Sequence, residues 1–415
     1  MPRAGTADAG AERIVNAADI NAPPVRWRAV AALTAVSTLS QIGQFGIGFM
    51  VLPVWLAHQG LDAPRAGLFA AAQWAGMFIG LLFAPRLIER IGSKLTVSLG
   101  LAASLVAYAS FGALAWPAWM LPGMLTGLGI GLRWIANETW LYSLVPADKS
   151  GKVVGVHETL IASAGVLAPA LAVYGGVSGT LVFVSGSLLT LAAAVPLWLT
   201  RSSSPQPVIE EPRVTHRKRL ELGPIVCLGL ATIAVGGIGD GALYGLFPLF
   251  ADNRGLTAAQ TATMLACFGI GGMVLQFPVG WLADRAGLAA TVIVCALVST
   301  AAIVAFSLAP SASPVYVGAA LLLGGMNSAY ITLGMYAAAC SDKQAITRNM
   351  RVLSLAFTAC SIAGPLFAGT AMKALGNDLL MWQLAIMSGA LMIYTLGMRE
   401  GHRQARQRAP SASSS

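Results

Sequence analysis

The sequence predicts an all-α membrane protein with twelve transmembrane helices, arranged as two halves of six helices each. Three observations support this fold class. Only 10% of the 415 residues are charged and 56% are hydrophobic, whereas soluble domains contain about a quarter charged residues. The apolar residues form long uncharged runs, and a helix needs about 20 such residues to cross a bilayer. A segment of the chain also occurs twice.

The repeated segment runs from Pro53 to Gly92 and again from Pro248 to Gly287, at a constant offset of 195 residues. The ungapped alignment superimposes an apolar run, a Gly-Leu turn, a second apolar run and an acid-Arg-x-Gly loop. Chance similarity between apolar segments does not keep these features in one order. The chain is therefore predicted to consist of two related halves.

The first half is predicted to span residues 29–200, after a polar cytoplasmic tail at 1–28 without a signal peptide. Helix 4 is expected to continue to about Tyr142 and helix 5 to begin near Val153. The uncharged runs that predict its six helices are Ala29–Leu61 (helix 1), Ala66–Pro85 (helix 2), Leu95–Leu132 divided at Trp116-Pro117 (helices 3 and 4), and Thr159–Thr200 divided at Gly175-Gly176 (helices 5 and 6).

Residues 201–221 contain three prolines and a basic cluster, which predicts a cytoplasmic linker. The second half is predicted to span 222–398, and a cytoplasmic tail to occupy 399–415. The corresponding runs are Gly223–Phe250 (helix 7), Gly255–Ala283 (helix 8), Ala286–Ser341 divided at Pro310 and Pro314 (helices 9 and 10), Val352–Met372 (helix 11) and Leu379–Met398 (helix 12).

The basic residues predict the orientation. If the N-terminus is cytoplasmic, 22 of the 26 lysines and arginines lie in cytoplasmic segments, Arg65, Arg254 and Lys373 lie on the opposite side, and Arg133 lies within a span. This distribution follows the positive-inside rule. We therefore expect a multi-pass protein of the cell (inner) membrane with both termini cytoplasmic. The basic cytoplasmic segments explain the net charge of +9 without a nucleic acid partner. The predicted surrounding of the protein is the lipid bilayer.

Polar side chains inside the spans are candidate functional residues, because a charge there costs roughly 2.5–3.5 kcal/mol on insertion scales. Residues three or four apart share one helix face, and four helices carry such a pair. We predict that these pairs bind a small-molecule substrate. The alternative is that the pairs form helix–helix hydrogen bonds remote from the substrate. The residues are Gln41 and Gln44 (helix 1), Arg133 and Asn137 (helix 4), Asp240 and Tyr244 (helix 7), and Asn327 and Tyr330 (helix 10).

A second group is predicted to couple transport to protons: Glu138, His157 and Glu158, together with Asp240. Glu138 and the His157-Glu158 pair lie at a similar depth on antiparallel helices. Two carboxylates at one level disfavour double ionisation, and an imidazole between them can share the proton. The alternative is a structural ion-pair cluster with Lys149 and Lys152.

Arg133 and Glu138 are five residues apart, about 140° around a helix, so they are not expected to pair. Arg133 is instead expected to face a substrate anion, Glu158 or Asp240. Small residues at four-residue spacing recur and predict close helix packing; the alternative, for the glycine-rich part of helix 7, is a hinge or a ligand site formed by the backbone. These small residues are Gly76 and Gly80; Gly123, Gly127 and Gly131; and Gly237, Gly241 and Gly245.

Two loops carry a family resemblance. Pro85–Lys94 reads P-R-L-I-E-R-I-G-S-K and Gly280–Gly287 reads G-W-L-A-D-R-A-G. Both resemble the G-x-x-x-D-R-x-G-R-[RK] loop between helices 2 and 3, and 8 and 9, of major facilitator superfamily transporters. The first copy has Pro, Glu and Ser in place of Gly, Asp and Arg, and the second lacks the trailing basic residues. The resemblance covers roughly residues 27–399.

The resemblance implies the fold of that superfamily, with a central cavity lined by helices 1, 4, 7 and 10. It also implies that Glu89 and Arg90, together with Asp284 and Arg285, form a gate at the cytoplasmic side. Residues Gly165–Pro169 (G-V-L-A-P) in helix 5 resemble the G-x-x-x-G-P motif of antiporters in the family, and Ser361–Pro365 is the counterpart in helix 11. The arginine of the family's helix 4 motif is Gly123 here, and Arg133 lies ten residues, nearly three helical turns, further along the helix.

These observations predict a monomeric secondary active transporter that works by alternating access and exports a small organic molecule in exchange for protons. The alternatives are proton-coupled uptake or facilitated transport of a sugar or organic anion, and a transport-inactive sensor or scaffold. We expect no enzyme activity, cofactor or bound metal. No phosphate-binding loop for ATP is present, three of the four histidines lie outside the spans, and the five cysteines have neither metal nor disulfide spacing.

Overall fold

The computed structural model describes residues 26–145, 150–200, 223–310, 313–341 and 345–408. Within these ranges the chain forms twelve membrane-length helices, which we number α1 to α12. Their bounds are α1 Trp27–Ala57, α2 and α3 within Ala63–Phe111, α4 Met120–Ser143, α5 Ser150–Ala162 and Ala164–Gly175, α6 Gly179–Leu199, α7 Pro224–Asp252, α8 Ala258–Ala286, α9 Leu288–Leu308, α10 Pro314–Ala339, α11 Ile346–Leu375 and α12 Leu379–Arg408.

Ten helices in the described ranges are long and apolar enough to cross a membrane by length and composition alone. The helical segment Ala63–Phe111 counts once among them, although its 49 residues would extend about 74 Å, more than twice the hydrocarbon thickness. Gly92 breaks it with φ 81° and ψ 161°, which gives α2 and α3. The helix α4 is outside the ten because Arg133, Asn137 and Glu138 lower its mean hydropathy. The twelve-helix fold predicted from the sequence is confirmed.

The backbone repeats with the offset seen in the sequence. Gly60 and Gly255 adopt φ 73° and 76°, and Gly287 adopts the same positive φ as Gly92, a conformation that glycine tolerates without steric cost. Two residues after Gly60 the Asp62 side chain caps α2, and two residues after Gly255 the Thr257 side chain caps α8. Asp62 and Thr257 are also 195 residues apart. Both halves therefore use the same turn, cap and loop.

Glycines bring equivalent helices into close contact in the two halves. A Cβ on Gly76 of α2 would lie 1.9 Å from the Met124 carbonyl oxygen of α4, and a Cβ on Gly271 of α8 would lie 1.9 Å from the Leu321 carbonyl oxygen of α10. No side chain fits at such a distance, so backbone packs on backbone, as expected for small residues at helix interfaces in membranes.

Several helix bounds differ from the predicted ones. Helix α11 begins at Ile346 rather than near Val352, and α12 continues to Arg408 rather than ending at Met398. Hydropathy marks only the apolar part of a helix, whereas backbone hydrogen bonding continues into its charged ends. Residues Gln41–Val51 of α1 form a π-helix, and α5 is interrupted at Ser163. Irregular turns of this kind are frequent at functional sites.

We call the end of the bundle that contains Gly92 and Gly287 the inner end, after the predicted topology, and the end that contains Asp62 and Lys373 the outer end. At the outer end one apolar cluster joins the halves, since it contains Met50 and Val54 from the first and Phe247 and Phe250 from the second. Helices α2 and α11 also touch there. A Cβ on Gly67 would lie 2.2 Å from the Pro365 carbonyl oxygen.

The orientation of these ends relative to the cell is a prediction. Reporter fusions at residue 205 and after residue 405 should both report a cytoplasmic location, because the positive-inside rule places the basic segments there. The linker at 201–221 and the end of the C-terminal tail lie outside the described residues. A periplasmic signal from either fusion would contradict the assignment of two six-helix halves with a cytoplasmic linker.

Candidate functional site

A cavity of about 380 Å³ lies between the two halves. Its lining comes from α1, α2, α4 and α5 of the first half and from α7, α8, α10 and α11 of the second. The family resemblance implied α1, α4, α7 and α10, and the structure adds α2, α5, α8 and α11. Glu158 and Gln276 line the cavity and are exposed. Because the outer end is closed, this is an inward-open arrangement.

Four of the predicted site residues reach the cavity wall. They are Gln41, Glu158, Asp240 and Tyr244. The other predicted residues in the spans lie behind this wall, and most of them bond to the wall residues or to each other, as described next.

Arg133 is fully buried behind Gln41. Its Nη2 donates to Gln41 Oε1 (2.7 Å) and its Nε donates to Gln44 Oε1 (3.1 Å), while Nη1 is buried without a hydrogen-bond partner. Gln44 is fixed in turn, because its Nε2 donates to Ser104 Oγ (2.8 Å). No described ion pair includes Arg133. Glu158 and Asp240, two of the three expected partners, therefore do not pair with Arg133 in this conformation, and two neutral amide oxygens take that place. The third, a substrate anion, stays a prediction.

Asn137 connects α4 to α1. Its Nδ2 donates to Ser37 Oγ (2.7 Å) and to the Leu33 carbonyl oxygen (2.9 Å). Ser37 in turn donates to Glu138 Oε1 (3.4 Å). Asn137 thus fixes the position of α1 relative to Glu138 and does not face the cavity.

The predicted cluster of Glu138, His157 and Glu158 is present. His157 Nε2 lies 2.8 Å from Glu138 Oε1, and its Nδ1 lies 3.3 Å from Thr34 Oγ1. The Tyr142 hydroxyl donates to Glu158 Oε1 (3.3 Å). Glu138 Oε2 is buried without a partner.

One ligand atom from each of Glu138, His157 and Glu158 lies within 4.8 Å of the others. A proton can pass directly along the 2.8 Å hydrogen bond between His157 and Glu138, whereas transfer to Glu158 at this spacing needs a bridging water. A cation could also fit, although the imidazole–carboxylate hydrogen bond already uses two of the three atoms. The alternative partners Lys149 and Lys152 cannot be compared, because Lys149 and the side chain of Lys152 lie outside the described parts of the chain.

In the second half, Asp240 is buried at the cavity wall, and Asn327 Nδ2 donates to Asp240 Oδ1. Tyr244 follows one turn later and packs edge-on against Phe45 of α1, with ring centroids 5.8 Å apart. Tyr330 points elsewhere, because its hydroxyl donates to Ser388 Oγ of α12 (3.1 Å). Asp240, Asn327 and Tyr244 therefore belong to the cavity site, and Tyr330 belongs to the packing of the second half.

Several cavity residues were not singled out from the sequence. Hydroxyl and amide groups from α8, α10 and α11 line the cavity, as do aromatic rings from both halves. The polar residues are Gln276, Ser328, Ser354 and Thr358. The aromatic residues are Phe45, Trp74, Trp134 and Phe357.

The gate predicted at the inner end is not engaged in this conformation. Among the residues that the structure describes, no ion pair involves Glu89, Arg90, Asp284 or Arg285. The Arg285 guanidinium lies over the Trp281 ring of its own helix, 4.2 Å from the centroid. An unengaged gate is consistent with an arrangement that is open at the inner end.

One ion pair and one contact between a histidine and a carboxylate join the halves at the outer end. Lys373 Nζ lies 3.0 Å from Asp62 Oδ2, and His58 Nε2 lies 3.7 Å from Asp252 Oδ1. Hydrogen bonds from Lys373 and from the Arg65 backbone amide hold the pKa of the Asp62 carboxyl below its ordinary value of 3.8. A lowered pKa means that the stabilisation is present above the ordinary value and is lost only as the pH falls through the lowered one. The Asp62–Lys373 pair therefore stays charged at neutral pH.

Replacing Lys373 by Met should favour opening of the outer end by a few-fold, because an exposed ion pair contributes about 0–1 kcal/mol. The measurement is the rate at which an impermeant thiol reagent labels a cysteine placed at Ala66, in the apolar cluster that joins the halves, in a chain without its five native cysteines. Arg254→Met is the control, since it breaks a pair with Asp378 inside the second half. Equal labelling of the two variants would contradict a role of Lys373 in closure.

Two related six-helix halves around a central cavity that is closed at one end define a membrane transporter of the type that alternates access to a central site. Residues 33–343 and 229–413 match the Major Facilitator Superfamily. The chain belongs to this family.

Known proteins agree with this assignment. The chain is 27% identical over 362 residues to the Uncharacterized MFS-type transporter YcaD of Salmonella dublin. The aligned region covers 83% of this chain and 90% of that protein. The fold of this chain is similar to the crystal structure of a D-xylose-proton symporter (TM-score 0.70, 15% identity, 90% of this chain and 97% of that one). It is also similar to the crystal structure of the nucleoside transporter NupG (TM-score 0.72, 10% identity, covering 89% of this chain and 99% of that one). At these identities the solved structures support the fold alone.

Proposed function

We propose that the protein exports a small organic molecule from the cytoplasm in exchange for protons, as a monomer in the cell (inner) membrane. The observation that carries this proposal is the cluster of Glu138, His157 and Glu158 beside the cavity, opposite Asp240 in the other half. Carboxyl and imidazole groups in a desolvated wall change protonation state at moderate cost. These groups therefore provide a means of coupling protons to a substrate.

In the proposed cycle the substrate enters the inward-open cavity and contacts Gln41, Asp240 and Tyr244. Binding favours loss of a proton from the carboxyl groups, because substrate and proton compete for the same electrostatic environment. The halves then rock to the outward-open state. Protonation from outside favours release of the substrate and return of the empty protein.

The cluster in the first half offers a route for that proton. Glu158 lies at the cavity wall, and Glu138 lies behind it, bonded to His157. The groups facing Glu138 are His157 and Glu158 of α5, Ser37 of α1, and Tyr142 of its own helix. Arg133 of the same helix also acts on Glu138 electrostatically. Glu158 would exchange protons with the cavity and pass them to the His157–Glu138 pair.

The antiporter-like motif of α5 lies at the contact between the halves, which is where a rocking motion needs close packing. Between the halves, a Cβ on Gly269 of α8 would lie 2.2 Å from the Gly165 carbonyl oxygen. Within the first half, a Cβ on Gly46 of α1 would lie 2.4 Å from the Ala168 Cβ. Pro365, from the counterpart motif in α11, contacts Gly67 across the halves as described above. These glycines would let the helices pivot without side chains in the way.

The test is transport in proteoliposomes with a ligand from a thermal-shift screen of the purified protein. The membrane potential is clamped with potassium and valinomycin, and liposomes without protein are the control. With an acidic lumen, export by exchange predicts accumulation of the ligand inside, because protons leave as ligand enters. Accumulation only with an alkaline lumen would show proton-coupled uptake instead, and equilibration without dependence on the pH gradient would show a facilitator.

The inner gate is part of the same proposal. Asp284→Asn should shift the population towards the inward-open state. By the family resemblance, the acidic residue of this loop holds the inner end closed, because it can lie at the N-terminus of a neighbouring helix and pair with a base. The measurement is cytoplasmic labelling of a cysteine placed at Ser328 in the cavity wall, in a chain without native cysteines. Asp378→Asn, at the opposite end of the bundle, serves as the control. Unchanged labelling in Asp284→Asn would rule out this role.

A further inference from the structure

We propose that the cavity selects organic cations that carry apolar or aromatic groups. This inference rests on the transport function proposed above and names the substrate class of the same site. Among the residues described at the cavity wall, the charged side chains are Glu158 from the first half and Asp240 from the second, and both are acidic. A cation in the cavity would be attracted from both sides.

Arg133 does not present its positive charge to the cavity. Its guanidinium is fully buried, and two of its three nitrogens donate to the oxygens of Gln41 and Gln44. Of these residues only Gln41 reaches the cavity wall. An anion in the cavity would therefore meet an amide group first, and it would have to displace a short hydrogen bond to reach the positive charge.

Asp240 is held at the cavity wall by a hydrogen bond to one of its two carboxylate oxygens. Its Oδ1 accepts a hydrogen bond from Asn327, and among the described residues no donor bonds to its Oδ2. The amide thus fixes the carboxylate and leaves one oxygen for a partner in the cavity. A buried carboxylate without a full set of donors favours a cationic partner, since an unpaired buried charge is costly.

Aromatic rings from both halves form part of the cavity wall. Trp74 of α2 and Phe357 of α11 meet edge to face across the halves, with ring centroids 5.8 Å apart, in the same geometry as Phe45 and Tyr244. Aromatic faces attract organic cations, the more so when the cation is desolvated. Four flexible methionines complete the apolar wall and allow it to adapt to different shapes. They are Met50, Met77, Met273 and Met335.

The experiment compares two probes of the same shape and opposite charge, tetraphenylphosphonium and tetraphenylborate. Their binding to the purified full-length protein is measured by equilibrium dialysis in a neutral detergent at fixed pH, with no gradient. We expect the cation to bind at least about tenfold more tightly, because each carboxylate acts in a medium of low effective dielectric. Equal binding, or tighter binding of the anion, would overturn the proposal without any variant being needed.

Matched variants locate the charge. Asp240→Asn and Glu158→Gln should each weaken binding of the cation by about tenfold and leave binding of the anion unchanged or tighter. Asp378→Asn removes a carboxylate from the outer loop and should change the binding of neither the cation nor the anion. Elution as a single species and an unchanged thermal midpoint establish that each variant is folded. Unchanged affinity for the cation in both cavity variants would overturn the proposal.

This assay separates the substrate class from the transport mechanism. If the cation binds selectively through the carboxylates but transport is independent of the pH gradient, the substrate class is supported and the proton coupling is contradicted. Proton-driven transport of some other compound, together with a lack of preference for the cation, would retain the coupling and remove the substrate class.

Discussion

Gly127→Ala should destabilise the protein by about 1–3 kcal/mol, the usual cost of overpacking a well-packed interior. A Cβ on Gly127 of α4 would lie 1.8 Å from the Gln73 carbonyl oxygen and 2.8 Å from the Met77 nitrogen of α2. These atoms belong to a helix backbone and cannot rotate away. The two helices must therefore separate, which also opens the neighbouring contact of Gly76.

Gly318→Ala is the matched control. Gly318 also lies within a helix, but no atom lies within 4 Å of a Cβ built there, and alanine is the better helix former by about 0.8–1.0 kcal/mol. The thermal midpoint in detergent should fall for Gly127→Ala and stay the same or rise for Gly318→Ala. Equal midpoints would contradict the interpretation that the glycine spacing of α4 serves close packing.

The features that could be predicted from the sequence are those that depend on short stretches of chain. The repeat at offset 195 predicted equivalent turns, and Gly60 and Gly255 adopt nearly the same φ. The uncharged runs predicted the helices because lipid requires apolar residues over a fixed length. Polar residues within spans marked Arg133 and Asp240, because such residues are rare unless they face the protein interior.

The cavity wall was harder to predict because hydropathy does not separate its apolar part from the lipid-facing surface. Trp74 and Phe357 line the cavity, and Phe277 of α8 is largely exposed on the outside, yet all three are aromatic residues in apolar runs. Lipid tails and apolar side chains present similar surroundings. Only the three-dimensional packing shows that α2, α5, α8 and α11 contribute to the wall.

The direction of polar side chains also depends on long-range partners. Tyr330 shares a helix face with Asn327 by spacing, but Ser388, 58 residues further along the chain, takes its hydroxyl. Arg133 meets two glutamines of α1 instead of a carboxylate. Serine and threonine residues of α1, such as Ser37 and Thr34, support the acidic cluster but give little signal in the sequence, because hydroxyl groups are common in membrane helices.

Glu138→Gln should abolish accumulation of substrate driven by a pH gradient. The hydrogen bond between Glu138 and His157 (2.8 Å) can persist with an amide. An amide, however, neither binds nor releases a proton near neutral pH. A gradient of one pH unit supplies about 1.4 kcal/mol per proton, enough for about tenfold accumulation. We expect about tenfold accumulation for the unmodified protein and a ratio near one for the variant, with exchange of labelled for unlabelled substrate retained.

Asp240→Asn should remove accumulation in the same assay, since it replaces the carboxyl group of the second half by a group without a titratable proton. Its partner Asn327 can still bond to the new amide, so the helix contact between α7 and α10 is kept. Asp378→Asn, which changes a carboxyl group outside the cavity, should accumulate substrate like the unmodified protein. If both Glu138→Gln and Asp240→Asn still concentrate substrate with normal pH dependence, the proposed coupling through these carboxyl groups is wrong and facilitated transport becomes the better description.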